Sequence, residues 1–234
     1  MSARRTKPKD RRTELPDYWM RITTPEDVRA PERKGEDDFF KPDYRHWDLF
    51  SQWPSMDKSI EAVEQNLNYP IRGAIRSRIA DYSEQRPFKV FDLGCGGGVS
   101  LKALKDEFGG KIRTVGLVLE RTPGEAYAGV DRLIVGDVNE VTPHERYDLI
   151  YSVIGATSYT NLKTTAVGKI VSWLRPGGTA VLHMGRAKDV NEEILDEMKT
   201  QLRQNGIPED KWDVQERKGY SFLYFKKPQR KLPG

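Results

Sequence analysis

Among 234 residues there is one cysteine, Cys95, and only three histidines, so the chain can form no internal disulfide and offers no Cys/His cluster at zinc spacing. A reducing compartment is compatible, and no metal site is expected. Also missing is any apolar run near the roughly 18 residues of a membrane span, and no hydrophobic stretch follows the basic N-terminus. The expectation is a soluble, cytoplasmic protein without a membrane partner. There is no internal repeat and no low-complexity tract. Charge is what the chain has in excess, at 32% against 37% hydrophobic residues. That balance still supports a folded core, with the surplus charge on solvated faces and in tails.

The formal net charge of +4 is unevenly spread. Residues 1 to 12 carry six basic side chains against Asp10, and Lys226, Lys227, Arg230 and Lys231 add four more near the C-terminus, which leaves the body between them net acidic. Basic arms can hold a polyanion such as RNA through counterion release, whereas an acidic body argues against an extended nucleic-acid groove.

Three regions follow from the patterning. Residues 1–43 form a basic, proline-rich arm with the acidic cluster Glu36, Asp37, Asp38 and no sustained apolar period. Residues 44–86 have helical spacing: Tyr44, Trp47, Phe50 and Trp53, then Ile60, Val63 and Leu67, then, after the break at Tyr69-Pro70, Ile71, Ala74, Ile75 and Ile79. From Pro87 onward strands alternate with helices. Strands are predicted at 88–93, 112–119, 132–136, 147–154 and 179–184, with a final pair at 212–217 and 220–226 divided by Lys218-Gly219. Between them, Thr122-Pro123-Gly124-Glu125 reads as a capping box, Arg175-Pro176-Gly177-Gly178 as a helix stop, and Asp189 as the cap of a last helix that ends near Gly206. Alternation implies parallel pairing with crossovers, and the closing hairpin implies an antiparallel edge. The expected fold is an α/β doubly wound, mixed seven-stranded sheet over 87–234 with an N-terminal helical extension.

The junction of the first strand and its helix reads Phe91-Asp92-Leu93-Gly94-Cys95-Gly96-Gly97-Gly98. Bare glycines allow a sharp turn and let a ligand approach the main chain. A dinucleotide fingerprint requires a third glycine where Val99 stands, and a phosphate loop requires Gly-Lys where Gly98-Val99 stands. Both patterns fail. What remains, G-x-G-x-G with Asp92 two residues upstream, resembles the class I S-adenosylmethionine-dependent methyltransferases. The resemblance covers roughly residues 88 to 226.

That resemblance implies S-adenosylmethionine as cofactor, with Asp92, Gly94, Cys95, Gly96 and Gly98 beneath its amino-acid end. It implies an acid after the second strand for the ribose hydroxyls. The family's usual position holds Val118, and Glu120, on the same strand face, is the nearest candidate. Gly136-Asp137-Val138 resembles the position that binds the adenine amino group, with Val138 flanking the ring. Arg146 to Ser152 resembles the family's fourth strand, with Ser152 at the cofactor, and Leu174 to Gly178 resembles the turn before its fifth. Cys95, inside the loop, reads as a packing residue facing the cofactor.

Methyl transfer from a sulfonium needs positioning and exclusion of water, and it needs a base only when the nucleophile arrives protonated. The acceptor is therefore the least legible part. The Asn/Asp-Pro-Pro-Tyr/Phe loop of many amino-group methyltransferases is absent, since Ser152-Val153-Ile154-Gly155-Ala156 stands there. Also absent are the aspartate of catechol and ribose methyltransferases and the amine-binding signature of aminopropyltransferases. Tyr151, Tyr159 and His183 are the catalytic candidates, with Ser158 nearby and with His46 and His144 as further bases. Tyr44, Trp47, Trp53 and Tyr69 could form a lid, and Arg72, Arg76 and Arg78 could meet an anion. A small-molecule or protein acceptor is favoured. RNA modification and a non-catalytic cofactor-binding subunit are the alternatives, and the oligomeric state is open.

Overall fold

The computed structural model describes residues 59–229 except 120, 122–126, 128 and 161. The arm at 1–43, Tyr44, His46, Trp47, Trp53, Glu120, the capping box at 122–125, Arg230 and Lys231 lie outside the described residues.

Among the described residues, seven strands form one sheet: β1 (Phe88–Leu93), β2 (Ile112–Val118), β3 (Arg132–Val135), β4 (Tyr147–Ser152), β5 (Leu174–Arg186), β6 (Trp212–Arg217) and β7 (Tyr220–Lys226). Their spatial order is β3-β2-β1-β4-β5-β7-β6. The first five pair in parallel, and β7 is antiparallel to both β5 and β6. The expected mixed, doubly wound sheet with an antiparallel hairpin is the one found. Lys218 and Gly219 both take positive φ, +51° and +78°, as a two-residue hairpin turn with the twist of its strands requires.

Helices α1 (Ile60–Leu67), α2 (Ile71–Arg76) and α3 (Val99–Phe108) belong to one face. The residues picked out by spacing, Ile60, Val63, Leu67, Ile71 and Ile75, are all buried there with Phe88, Val90, Leu101, Leu104 and Leu149. Each such side chain contributes roughly 1.5–3 kcal/mol of hydrophobic stabilisation. A short helix α4 (Ala156–Tyr159) follows β4. Then α5 (Lys163–Trp173) and α6 (Glu192–Gln204) supply the other face, where Val167, Ile170, Val171, Met198 and Leu202 meet Phe91, Leu93, Ile150 and Leu182. Both faces of the central strands are covered, so β4 is buried along its whole length and β1 at every residue but Lys89.

Several expectations need correction. Arg175 to Gly178 do not separate α5 from the fifth strand. Tyr147 already pairs with Leu174 and Leu149 with Thr179, so these residues bulge out within β5, where Gly177 N–H donates to the Lys227 carbonyl at 2.8 Å. The cap of α6 is Asn191, whose Oδ1 accepts from Ile194 N–H at 2.9 Å, and Asp189 sits in the preceding turn. Asn competes with Asp equally well as a cap, and the one nearer the first apolar turn wins. Arg72 pairs with Glu61 and Glu64, Arg76 with Glu107, and Arg78 with Tyr82 and Asp148. These three guanidinium groups are held by the protein's own acceptors, which lends no support to the anion contact they could have made. Tyr69 packs at 5.8 Å from the Tyr224 ring of β7, and burial pushes its hydroxyl up to about 12.

Candidate functional site

Ligands in open parallel sheets bind beyond the carboxyl ends of the strands where the strand order reverses, which here falls between β1 and β4. Two loops leave the sheet at that point. The first, Gly94 to Gly98, is fixed by the N–H groups of Gly94 and Cys95, which both donate to the Leu117 carbonyl of β2 at 3.0 Å. The second begins after Ser152, whose Oγ donates to the Leu93 carbonyl at 2.9 Å and so ties the end of β4 to the end of β1.

The loops meet main chain to main chain. Gly94 has φ +108°, and a Cβ there would lie 2.8 Å from Gly155 Cα; a Cβ on Gly155 would lie 2.3 Å from the Leu93 carbonyl oxygen. No other residue type fits either position without moving backbone. Ile154, beside it, is β-branched yet stands at φ +43°, a conformation that costs about 1–3 kcal/mol and that the surrounding packing must hold in place. The chain continues through Gly98, at φ +79°, into α3, whose N-terminus carries no side-chain cap. Uncapped amides at a helix start favour an anionic group.

The other expected cofactor residues lie along the same edge. Val118 pairs with Val135, so Gly136 and Asp137 follow the end of β3 beside the end of β2, with Gly136 N–H donating to the Val118 carbonyl at 2.9 Å. Asp137 Oδ1 accepts from Asn139 N–H at 2.7 Å and shapes that turn. Asn139 Nδ2 donates across to Thr160 Oγ1 at 2.6 Å, joining the turn after β3 to the loop after β4. Val138, expected against the adenine ring, is buried among the residues that pack on α5 and α6.

Cys95 is a packing residue as expected, though it packs into the core: it is buried with Leu101, Leu104 and Val118, and its thiol donates to the Gly96 carbonyl at 3.3 Å. Two further placements differ from expectation. Ser152, expected to contact the cofactor, is fully buried and acts as the β4-to-β1 tie. Tyr151, expected beyond the strand end, lies inside β4 with no exposed surface; its hydroxyl is 3.0 Å from Ser100 Oγ, and burial, with Asp92 nearby, pushes it well above the usual tyrosine range. A hydroxyl held there can neither reach an acceptor nor take its proton.

His183 does not end β5, which runs on to Arg186 past a register shift at Gly185. Its ring is buried against Tyr220 and Phe222. Nδ1 accepts from Gly185 N–H at 3.2 Å and lies 2.7 Å from Ser158 Oγ, so the neutral ring carries its proton on Nε2. Burial, with a smaller contribution from Lys163, pushes its pKa down to about 4. Such a ring is a poor base near neutrality. His144 is exposed in the turn before β4, at the opposite edge of the sheet. Tyr159 closes α4, the short helix stitched to β5 by Thr157 Oγ1, which donates to the His183 carbonyl at 2.7 Å.

Sequence reasoning missed Lys163, which reads as a helix surface charge. It is buried at the start of α5, and its ammonium donates to the carbonyls of Thr157, Ser158 and Thr160 at 3.0 to 3.3 Å. Burial pushes it down to about 8, while three acceptors for three N–H groups favour the charged form. Gly155 was also missed, because its requirement comes from a neighbour distant in sequence.

No protein-family model matches the sequence, and no curated protein is similar to it. Solved structures do resemble it. DesVI of Streptomyces venezuelae is 16% identical over 81% of this chain and 100% of that one, with a TM-score of 0.51. An S-adenosylmethionine-dependent methyltransferase from Clostridium acetobutylicum is 10% identical over 78% of this chain and 97% of that one, with a TM-score of 0.50. The chain has the class I methyltransferase fold. In this methyltransferase fold the two glycine-bearing loops occupy the switch point between β1 and β4, and the loop 156–160 flanks them toward β5.

Proposed function

We propose that the protein is an S-adenosylmethionine-dependent methyltransferase acting on a small-molecule or protein acceptor. The observation that carries this reading is the main-chain contact between Gly94 and Gly155 at the switch point, beside a helix N-terminus without a side-chain cap. The residues present fit the cofactor. The main chain of Gly94 to Gly98 and the first amides of α3 would take its amino-acid end, and Asp137 would accept from its adenine amino group. Glu120 remains the candidate for the ribose.

Bound there, the cofactor supplies a methyl group on a positively charged sulfur, already a good leaving group. The protein's part is to orient and to exclude water. Ser152 and the Leu117 carbonyl hold the two loops in register. Lys163 gathers the carbonyls of 157–160 and, through Ser158 and Thr157, sets that loop against His183 of β5. With His183 neutral and held through Nδ1, and Tyr151 buried, neither is poised to deprotonate an acceptor. The reading therefore favours a nucleophile that reaches the site with a free lone pair.

Titration calorimetry with S-adenosylhomocysteine tests this reading. Folded wild-type protein should bind it, and Asp137→Ala should weaken binding by about 1–3 kcal/mol through loss of a half-buried acceptor. Folded wild-type protein that binds none of it would refute the reading.

A further inference from the structure

Beneath the glycine loop lies a chain of polar groups that no step above uses. Ser100, in the first turn of α3, is 2% exposed, and its Oγ donates to Asp92 Oδ2 at 3.2 Å. The same Oγ lies 3.0 Å from the Tyr151 hydroxyl, which is fully buried in β4. A serine hydroxyl has one proton. With that proton on the bond to Asp92, the Tyr151 proton points at Ser100 or at the carboxylate itself, which stands close enough to act on the tyrosine directly. Donors in series polarise one another, so the tyrosine acts on the carboxylate both directly and through the serine. The three groups come from β1, α3 and β4, the elements that frame the switch point.

We infer that Tyr151 and Ser100 are positioning residues that orient the Asp92 carboxylate for the ammonium of the cofactor's amino-acid end. This rests on the methyltransferase reading above. The position makes physical sense. Asp92 stands two residues before Gly94 and is itself 5% exposed, and a buried carboxylate is retained where its oxygens have assigned partners. Tyrosine suits the far end of the relay because its hydroxyl, held well above its usual range by burial, stays protonated and remains a donor at any working pH. A purely structural tyrosine would support the loop as a whole and would treat every ligand of that loop alike. An orienting one matters only to ligands that carry the ammonium.

The experiment compares two ligands that share the adenosine and the sulfur, S-adenosylhomocysteine and 5′-methylthioadenosine, the second lacking the amino-acid portion. Affinities for both are measured by calorimetry on the full-length wild type, Tyr151→Phe and Ser100→Ala, with thermal unfolding to verify that each is folded. The expected result is a loss of about tenfold for S-adenosylhomocysteine in Tyr151→Phe, with 5′-methylthioadenosine within about twofold of wild type. Ser100→Ala, which removes the serine's own bond to Asp92, should show a selective loss of the same kind and carries the test alone if Tyr151→Phe does not fold. Equal weakening of both ligands, or weakening of neither, overturns the inference while leaving the methyltransferase reading intact. A wild type that binds neither ligand removes that reading itself.

Discussion

The two edges of the sheet are built from different materials. At the amino-terminal edge, charge is met by charge: buried Asp148 accepts from the Tyr82 hydroxyl at 2.7 Å, Lys89 N–H at 2.9 Å and the Arg175 guanidinium at 2.9 Å, with Arg78 at 3.5 Å. Beside it, Glu145 gathers Lys89, Arg113 and Arg132. At the carboxyl edge glycines, hydroxyls and a neutral histidine predominate, and the charged groups Asp92, Asp137 and Lys163 are met by hydroxyls and main chain. An edge whose charges are matched by its own chain has its electrostatics completed within the fold. An edge that keeps bare main chain at the switch point leaves hydrogen-bonding capacity to something else. The difference separates the residues that stabilise the protein from those expected to hold a ligand.

The sharpest way to break this comparison is Asp148→Ala. Removing one carboxylate strands two guanidinium groups, a tyrosine hydroxyl and a backbone N–H. Chemical denaturation should show a loss of about 3–5 kcal/mol, with S-adenosylhomocysteine affinity nearly unchanged. A large change in affinity with little loss of stability would mean that the edges are not divided in this way.

The next effect is in pH. His183 has its folded pKa pushed down to about 4 from an ordinary 6.5, so the unfolded chain binds the extra proton first and stability falls as pH drops from about 6.5 toward 4. The full shift corresponds to roughly 3 kcal/mol. Glu145 belongs to the other edge and titrates lower. Burial alone would raise it, but Lys89, then Arg113 and Arg132, hold it below its usual value, so its contribution persists above that value and is lost only in stronger acid. Denaturation midpoints at pH 7 and 5 should therefore differ in the wild type and converge in His183→Gln. An unchanged difference in that variant would assign the acid sensitivity elsewhere.

The smallest effect expected is the most local. Gly155→Ala forces a methyl group toward the Leu93 carbonyl and should displace the loop, at a cost of about 1–3 kcal/mol in S-adenosylhomocysteine binding, read by calorimetry. Unchanged binding would show that the close approach of the two loops has no part in the site.

Much of this organisation is visible in the sequence, for physical reasons that differ by element. β6 and β7 have the predicted bounds because Lys218-Gly219 admits a two-residue turn. The glycine loop shows itself because a run of glycines marks a turn at positive φ, which Gly94, Gly96 and Gly98 all take. Tyr151 and Ser152 were misplaced because β4 is covered on both faces, so alternation, the signal that tells inward from outward, is erased. The strand ends at Ser152, two residues before the end its apolar pattern predicts, and its last polar side chains face β1 and α3 and not a ligand. Gly155 and Lys163 carry no sequence signal of their own: one is dictated by Gly94 and Leu93, the other by the carbonyls that its own loop presents.

The most direct test is a crystal structure of the protein grown with S-adenosylhomocysteine. The sulfur nucleoside should rest on the main chain of Gly94 to Gly98, with its adenine toward Asp137. Density for it at any other place on the molecule, with that stretch of main chain uncovered, would contradict the account.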